Sequence, residues 1–291
     1  MADGVQKLFA VKAKSKELEI PYENLLSAFV LEEAAAAICE SEEAEYFWLK
    51  NDGILSLEYY KRKAPTRLEY MINSGEELTV RNVIHRMSHI FQNEKKAELW
   101  WKYRVEKEDE DICVYLTAKI EELQIPVKLM LNQVKDIQSE PSREELHLFL
   151  EEHRSVEYLH YPIEGILAEH FIHIMKDMEL LNDMGSYYIL YDLLKKEMNS
   201  SRKVTEQIES LAKEQKIPLK KERFEMFAGY LTSSYMNKKW KSYSKREKKK
   251  TPSFQEVMEV LIAYFQPIWE SLSEGNYYLG DWMPELMRYL D

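Results

Sequence analysis

Three carboxylates, Asp52, Glu58 and Glu69, and a run of cations share Tyr46–Met71, YFWLKNDGILSLEYYKRKAPTRLEYM, side chains of the kinds that bind cations and anions. Asp52 and Glu69 are acids of the type that hold divalent cations. Lys50, Lys61, Arg62, Lys63 and Arg67 are of the type that neutralises phosphate. The elements that must position them follow from the pattern. Tyr46–Leu49 is aromatic and apolar, as a strand is, whereas Asn51-Asp52-Gly53 is turn chemistry. Ile54, Leu55, Leu57 and Tyr59 then resume an apolar face in a short amphipathic helix. A basic loop follows, and Leu68, Tyr70 and Ile72 alternate with polar neighbours in a second strand.

A second constellation lies at 237–250, NKKWKSYSKREKKK, where Lys238, Lys239, Lys241, Lys245, Arg246, Lys248, Lys249 and Lys250 face only Glu247. Trp240 and Tyr243 sit among them, and cations interleaved with aromatics suit phosphate contact plus base stacking. The same run also reads as a solvated helix end before Pro252. His85 and His89, spaced i, i+4, have metal-ligand spacing, but no Glu lies between them and Arg86 is adjacent. His170 and His173 share a helix face with Glu169 nearby. The apolar, Ala-rich surroundings of Cys39 are those of an inert thiol. There is no P-loop and no G-x-G-x-x-G motif.

The 291 residues can bury a real core, and 45% apolar with 31% charged residues is globular composition. No apolar run reaches the roughly 18 residues a bilayer span needs, and the first residues lack a signal-peptide apolar region. Cys39 and Cys113 form no framework. These features predict a soluble, cytoplasmic protein with no membrane partner. The net charge of −11 repels nucleic acid globally, so any RNA contact must use a local basic patch.

Helices are predicted over 8–19 and 22–40, the second so apolar that it should lie on a sheet. Ser74-Gly75-Glu76-Glu77 offers a capping box for a helix reaching about 92. Leu99–Val105, Ile112–Ala118 and the VKLML run read as strands, and Ser142–Glu145 as the cap of a short helix. Past His153 helical periodicity dominates, over 162–178, 186–198, 204–216, 220–242 and 253–273, and the aromatic stripe of NYYLGDWMPELMRYL reads as a last packed helix. This predicts an α+β fold, a mixed sheet with flanking helices over 1–155 followed by a helical domain over 156–291.

The strand–turn–helix–basic loop–strand order resembles the core of the polymerase-β-like nucleotidyltransferases, and in particular the AbiEii/AbiGii-type toxins. That family's pattern runs L-K-G-G, a short helix, a basic loop, then D-[IL]-D-[FL]. The likeness continues at Tyr161–His170, YPIEGILAEH, which is similar to Y-P-L-E-x-I-L-A-E-K with His170 in place of Lys. GSYYILYDLL at Gly185–Leu194 resembles K-D-F-Y-D-L-Y-x-L. Trp240-Lys241-Ser242-Tyr243 resembles W-K-x-F, and Phe254–Ile268 the closing helix ending F-L-x-P-I. The motifs cover about residues 22 to 270.

The resemblance implies a nucleotidyltransferase-like fold and a bacterial toxin of an abortive-infection, toxin–antitoxin system. It implies action on nucleotides or a tRNA-like acceptor with Mg2+ and an NTP, and neutralisation by a cognate antitoxin protein. The motif acids are largely missing, however. The D-x-D positions read Arg67-Leu68-Glu69, the third strand at 123–135 has no Asp or Glu, and the glycine pair is Asn51-Asp52, with Lys50 and Gly53 retained. Two acids at i, i+2 on a strand share a face, which is what a D-x-D metal site uses. Three readings follow. Asp52 lies beside Glu69 as a replacement ligand in a rearranged catalytic and metal site; or Lys50, Lys61, Arg62, Lys63 and Arg67 bind phosphate without catalysis; or Asp52 simply turns the chain and Glu69 is a solvated strand residue. Where the resemblance puts its helix at the cleft, His170 touches phosphate in place of the family's Lys. The alternative to an enzyme is thus a catalytically inactive binding module that contacts RNA or a protein partner.

Overall fold

The computed structural model describes residues 3–91, 98–109, 111–134, 139–151, 153–247 and 250–290. The chain forms two compact units, one of Met1–Lys135 with Pro141–Tyr161 and one built on Pro162–Asp291.

In the first unit α1 (Asp3–Glu17) and α2 (Tyr22–Cys39) precede β1 (Phe47–Leu49), α3 (Leu57–Arg62), β2 (Arg67–Ile72) and α4 (Val80–Ile90). Then come β3 (Trp100–Glu108), β4 (Asp111–Ile120), β5 (Leu123–Gln133), β6 (Ser142–His147) and β7 (Ser155–His160). They form one mixed sheet in the order β3-β4-β5-β2-β1-β7-β6. β2 runs antiparallel to β1 and parallel to β5, and β1 is parallel to β7. One face is the core. Leu68, Tyr70 and Ile72, then Val114, Leu116 and Ala118, are buried there with α2. The alanines of α2 combine high helix propensity with close approach, and the helix packs on β2, β5 and β7, as its apolar sequence requires.

Two local readings change. Ser142–His147 is the edge strand β6, not a helix start, because Leu146 and Val156 bury together when it pairs with β7, and Arg143 reaches Glu157 across the pair. The cap of α4 is Thr79, whose hydroxyl accepts from the Asn82 amide at 3.2 Å; Gly75, with φ of +68°, turns the chain before it.

The second unit holds α5 (Ile163–Asp177), α6 (Gly185–Lys196), α7 (Ser201–Glu214), α8 (Lys221–Ala228), α9 (Ser234–Arg246) and α10 (Phe254–Ser273). Its core is aromatic, with the Phe171 and Phe265 rings stacked at 3.8 Å. The helix expected over 220–242 is two helices, because the chain leaves α8 at Gly229 and Ser233 caps α9 by accepting from the Met236 amide. Strands also appear here: β8 (Asn199–Ser200), β9 (Asp281–Met283) and β10 (Arg288–Leu290) form a small sheet where a last helix was expected. Gly280 and Pro284 disfavour a helix there. Trp282 instead buries itself and donates from Nε1 to the Leu194 carbonyl at 2.8 Å.

Candidate functional site

Backbone pairing continues past β1. The Lys50 amide donates to the Glu69 carbonyl at 2.8 Å, and the Asn51 side chain then takes over the role of a strand residue. Its Oδ1 accepts from the Glu69 amide at 2.8 Å while its Nδ2 donates to the Arg67 carbonyl at 3.2 Å. Asn51 therefore pins the turn to β2, which explains an Asn where the family resemblance expects Gly. A side chain on Gly53 would meet nothing within 4 Å and its φ is not positive, so the fold itself does not require glycine there.

The pinned turn sends Asp52 toward β7. Tyr158 donates from its hydroxyl to Asp52 Oδ2 at 3.1 Å, and His160 Nε2 lies 3.5 Å from Oδ1. Burial pushes the Asp52 carboxyl up, but the His160 hydrogen bond and charge and the Tyr158 bond outweigh it, so its pKa falls below the ordinary carboxylate value. His160 is in register with Leu49, and Leu49 with Tyr70, so Asp52 is held by side chains of the helix-covered face. Glu69 alternates with Leu68 and Tyr70 and projects from the opposite face, ion-paired with Arg67. The expected union of Asp52 and Glu69 in one catalytic and metal site is thus corrected. The two acids are held on opposite faces of the sheet, a consequence of the period-two alternation of β2 and β7.

On the Glu69 face the structure assembles a different set. The Lys50 ammonium lies 5.9 Å from the Tyr161 ring centroid. Asp111 at the start of β4 interacts electrostatically with Glu69, Lys50 and Lys128. Burial raises its carboxyl pKa and Glu69 adds to this, opposed by both lysines and a hydrogen bond from Asn132. Asp111 and Lys128 escaped the sequence reading because neither lies in the turn–helix–strand motif; the only signal was their outward parity on β4 and β5. Tyr158 and His160 carried a comparable signal, a polar i, i+2 pair in SVEYLH.

Divalent metal fits this face poorly. Glu69 is flanked by Arg67 and Lys50, and among the described residues no three His, Cys, Asp or Glu side chains converge to hold a metal ion. Asp111, Glu106 and Glu108 share the face, but each acid has a cation beside it: Lys50 and Lys128 act on Asp111, Arg104 pairs with Glu106 and Lys128 with Glu108. Phosphate oxygens suit the same surroundings better.

The remaining candidates fall elsewhere. Lys61, Arg62 and Lys63 close α3, where Arg62 folds back over Tyr59, 5.6 Å from its ring, and toward the Glu58 carbonyl. His170 belongs to the second unit, with Nδ1 3.0 Å from Ser186 Oγ; His173 Nδ1 shares that hydroxyl at 3.1 Å. His85 and His89 stack edge to face at 4.3 Å, and His89 reaches Glu43.

The basic segment divides by helical period. Trp240 is 2% exposed, donates to the Pro252 carbonyl at 2.9 Å and packs on Tyr188, Tyr243 and Phe254. Its expected role as a base-stacking contact is corrected: it is a core anchor. Lys239 donates to the Glu179 and Leu181 carbonyls, and Arg246 pairs with Asp183 at 2.6 Å. Lys238, Lys241 and Lys245 form an exposed stripe, beside which Tyr235 stands 55% exposed. Lys248 and Lys249 lie outside the described residues.

No protein-family model matches this chain, and no curated protein does. Membership of the AbiEii/AbiGii family therefore stays an expectation of the motifs. Among solved structures the chain is similar to JHP933 from Helicobacter pylori, with 13% identity and a TM-score of 0.48 over 85% of this chain and 94% of that one. It is also similar to a candidate nucleotidyltransferase from H. pylori, with 13% identity and a TM-score of 0.44 over 89% of this chain and 100% of that one.

Proposed function

We propose that this is a nucleotidyltransferase-like protein that binds nucleotide or RNA phosphate on the Glu69 face of its sheet without transferring a nucleotidyl group. The strand–turn–helix–strand order with β5 parallel to β2 supports the architecture. The observation that carries the non-catalytic reading is the separation of Asp52 and Glu69 onto opposite faces. Two-metal transfer needs carboxylates converging on one point. Here Glu69 and the neighbouring Asp111 are accompanied by Lys50, Arg67 and Lys128, cations that attract phosphate and oppose a metal ion. The toxin role, the RNA acceptor and a cognate antitoxin rest on the sequence resemblance alone.

The test uses labelled ATP and bulk tRNA on the whole chain. Binding is expected to survive chelation of divalent ions and to weaken on Lys50→Glu with Arg67→Glu, with no label transferred. Robust labelling of tRNA that disappears in Glu69→Ala would overturn the reading and restore an enzyme.

A further inference from the structure

The sheet face that carries Glu69 is divided along its strands. Register places Arg67 of β2 beside Lys128 of β5, Lys128 beside Tyr115 of β4, and Tyr115 beside Arg104 of β3. This row crosses four strands, about 14 Å at the ~4.8 Å spacing of neighbours. One step further along the strands Lys102 stands beside Thr117, and a further step brings Trp100 beside Lys119. In the opposite direction the rows are acidic, with Glu106, Glu69, Glu108 and Asp111. Apart from Lys50, which extends the Glu69 row, cations and acids are sorted to two ends of one face.

The basic end is shaped as well as charged. It lines a groove of about 540 Å³. The Tyr115 ring serves two cations of the row, with Arg104 at 4.5 Å and Lys128 at 5.0 Å from its centroid. Glu106, Glu108 and Glu69 pair with Arg104, Lys128 and Arg67 from the acidic side, whereas no described carboxylate pairs with Lys102 or Lys119. By formal charge the five cations Arg67, Lys102, Arg104, Lys119 and Lys128 exceed the three carboxylates paired with them, although the protein as a whole is acidic. At its end Trp100 leaves half of its surface open, 50% exposed, in a strand whose next residue, Trp101, is buried.

We infer that this groove is a track for the sugar–phosphate backbone of a single-stranded nucleic acid, with Trp100 as the platform for an unpaired base. A row of cations across four strands suits a polymer of phosphates. An aromatic face beside it suits stacking, which a paired base cannot offer. The inference rests on the phosphate-binding reading of this face, but its test uses Trp100, Lys102 and Arg104 of β3, four strands along the sheet from β1, which Lys50 follows.

The experiment is fluorescence anisotropy of a labelled oligouridylate of roughly 16 nucleotides and of a matched RNA duplex, with whole protein. Titrations at about 50 mM and about 200 mM salt give the counterion slope. Lys102→Glu with Arg104→Glu is expected to weaken oligouridylate binding at least tenfold and to reduce the salt slope by about 1.4, two contacts at ~0.7 each. Trp100→Ala should weaken the single strand and leave the duplex unchanged. ATP binding should persist in these variants, so a failed nucleotide site and a failed track are told apart. Melting curves and Lys102→Gln with Arg104→Gln, which should show the same loss in milder form, control for folding. Oligouridylate affinity within about twofold of wild type in the folded charge-reversal variant would overturn the track.

Discussion

Two stretches of this chain embed a tryptophan among cations, and folding gives them opposite fates. In α9, Trp240 is 2% exposed; in β3, Trp100 is 50% exposed. Composition does not separate them, but period does. Met236, Trp240 and Tyr243 are spaced i, i+4, i+7 and form one buried stripe of a helix, with Lys238, Lys241 and Lys245 on another. Trp100, Lys102 and Arg104 are spaced by two and share one side of a strand, with the buried Trp101 on the other. A helix sorts aromatics from cations around its axis, whereas a strand can leave them on the same surface. A basic–aromatic run is thus a candidate for stacking on nucleic acid mainly where its local structure is extended.

The sharpest way to break this comparison is to truncate both rings. Trp240→Ala removes a ring packed on three aromatics and leaves the Pro252 carbonyl without its donor. The expected loss is about 3–5 kcal/mol, typical of Trp truncation in a core, and a fall in melting temperature of roughly 10 °C. Trp100→Ala should stay within about 0.5 kcal/mol. Calorimetry on the two variants reads the difference, and equal shifts would show that exposure does not distinguish the two rings.

A smaller effect is expected from the lysine stripe. Replacing Lys238, Lys241 and Lys245 with Gln leaves the core of α9 intact, so melting should move little. If the stripe contacts RNA, the magnitude of the salt slope should drop by about 2, three contacts at ~0.7 each, and affinity should weaken for every sequence alike. An unchanged slope would leave α9 as a solvated helix face, with the sheet groove the remaining basic surface to test.

What the sequence disclosed and what it hid divide along the same physical line. Local signals were legible: the turn at Asn51-Asp52-Gly53, the alternation of β2, the apolar helix α2, and the Ser253 cap of α10, whose hydroxyl accepts from the Glu256 amide at 3.1 Å. The mixed sheet with flanking helices followed from them. The site was less legible because its decisive partners are remote. Asp52 meets Tyr158, 106 positions away, and only the β1–β7 register determines which face that puts it on. Edge strand β6 and the closing hairpin were missed for a related reason. Each gains its burial from a distant partner, Val156 for Leu146 and the Leu194 carbonyl for Trp282, and short segments lack the periodicity that would have announced them.

The least of the expected effects tests the two faces of the sheet instead of the two tryptophans. On the helix-covered face Glu32 of α2 is buried, accepting from the Tyr60 hydroxyl at 2.7 Å and from the Phe149 amide at 3.0 Å. Burial pushes its pKa up to about 8, with a contribution from Glu33, while the two hydrogen bonds pull it down. The folded value lies above the unfolded one, so the folded state binds the proton more tightly. Its contribution to stability is full below 4.5 and is lost as pH rises through about 8. Glu32→Gln keeps a neutral, hydrogen-bonding group of the same shape and cannot ionise. Wild type should therefore lose melting temperature relative to the variant as pH is raised across that window. The difference should amount to a few degrees, since water penetration relaxes the cost of the buried charge. Parallel melting profiles for the two proteins between those pH values would show that Glu32 is already ionised in the fold. The inner face would then tolerate a buried charge, as the outer face tolerates Glu69.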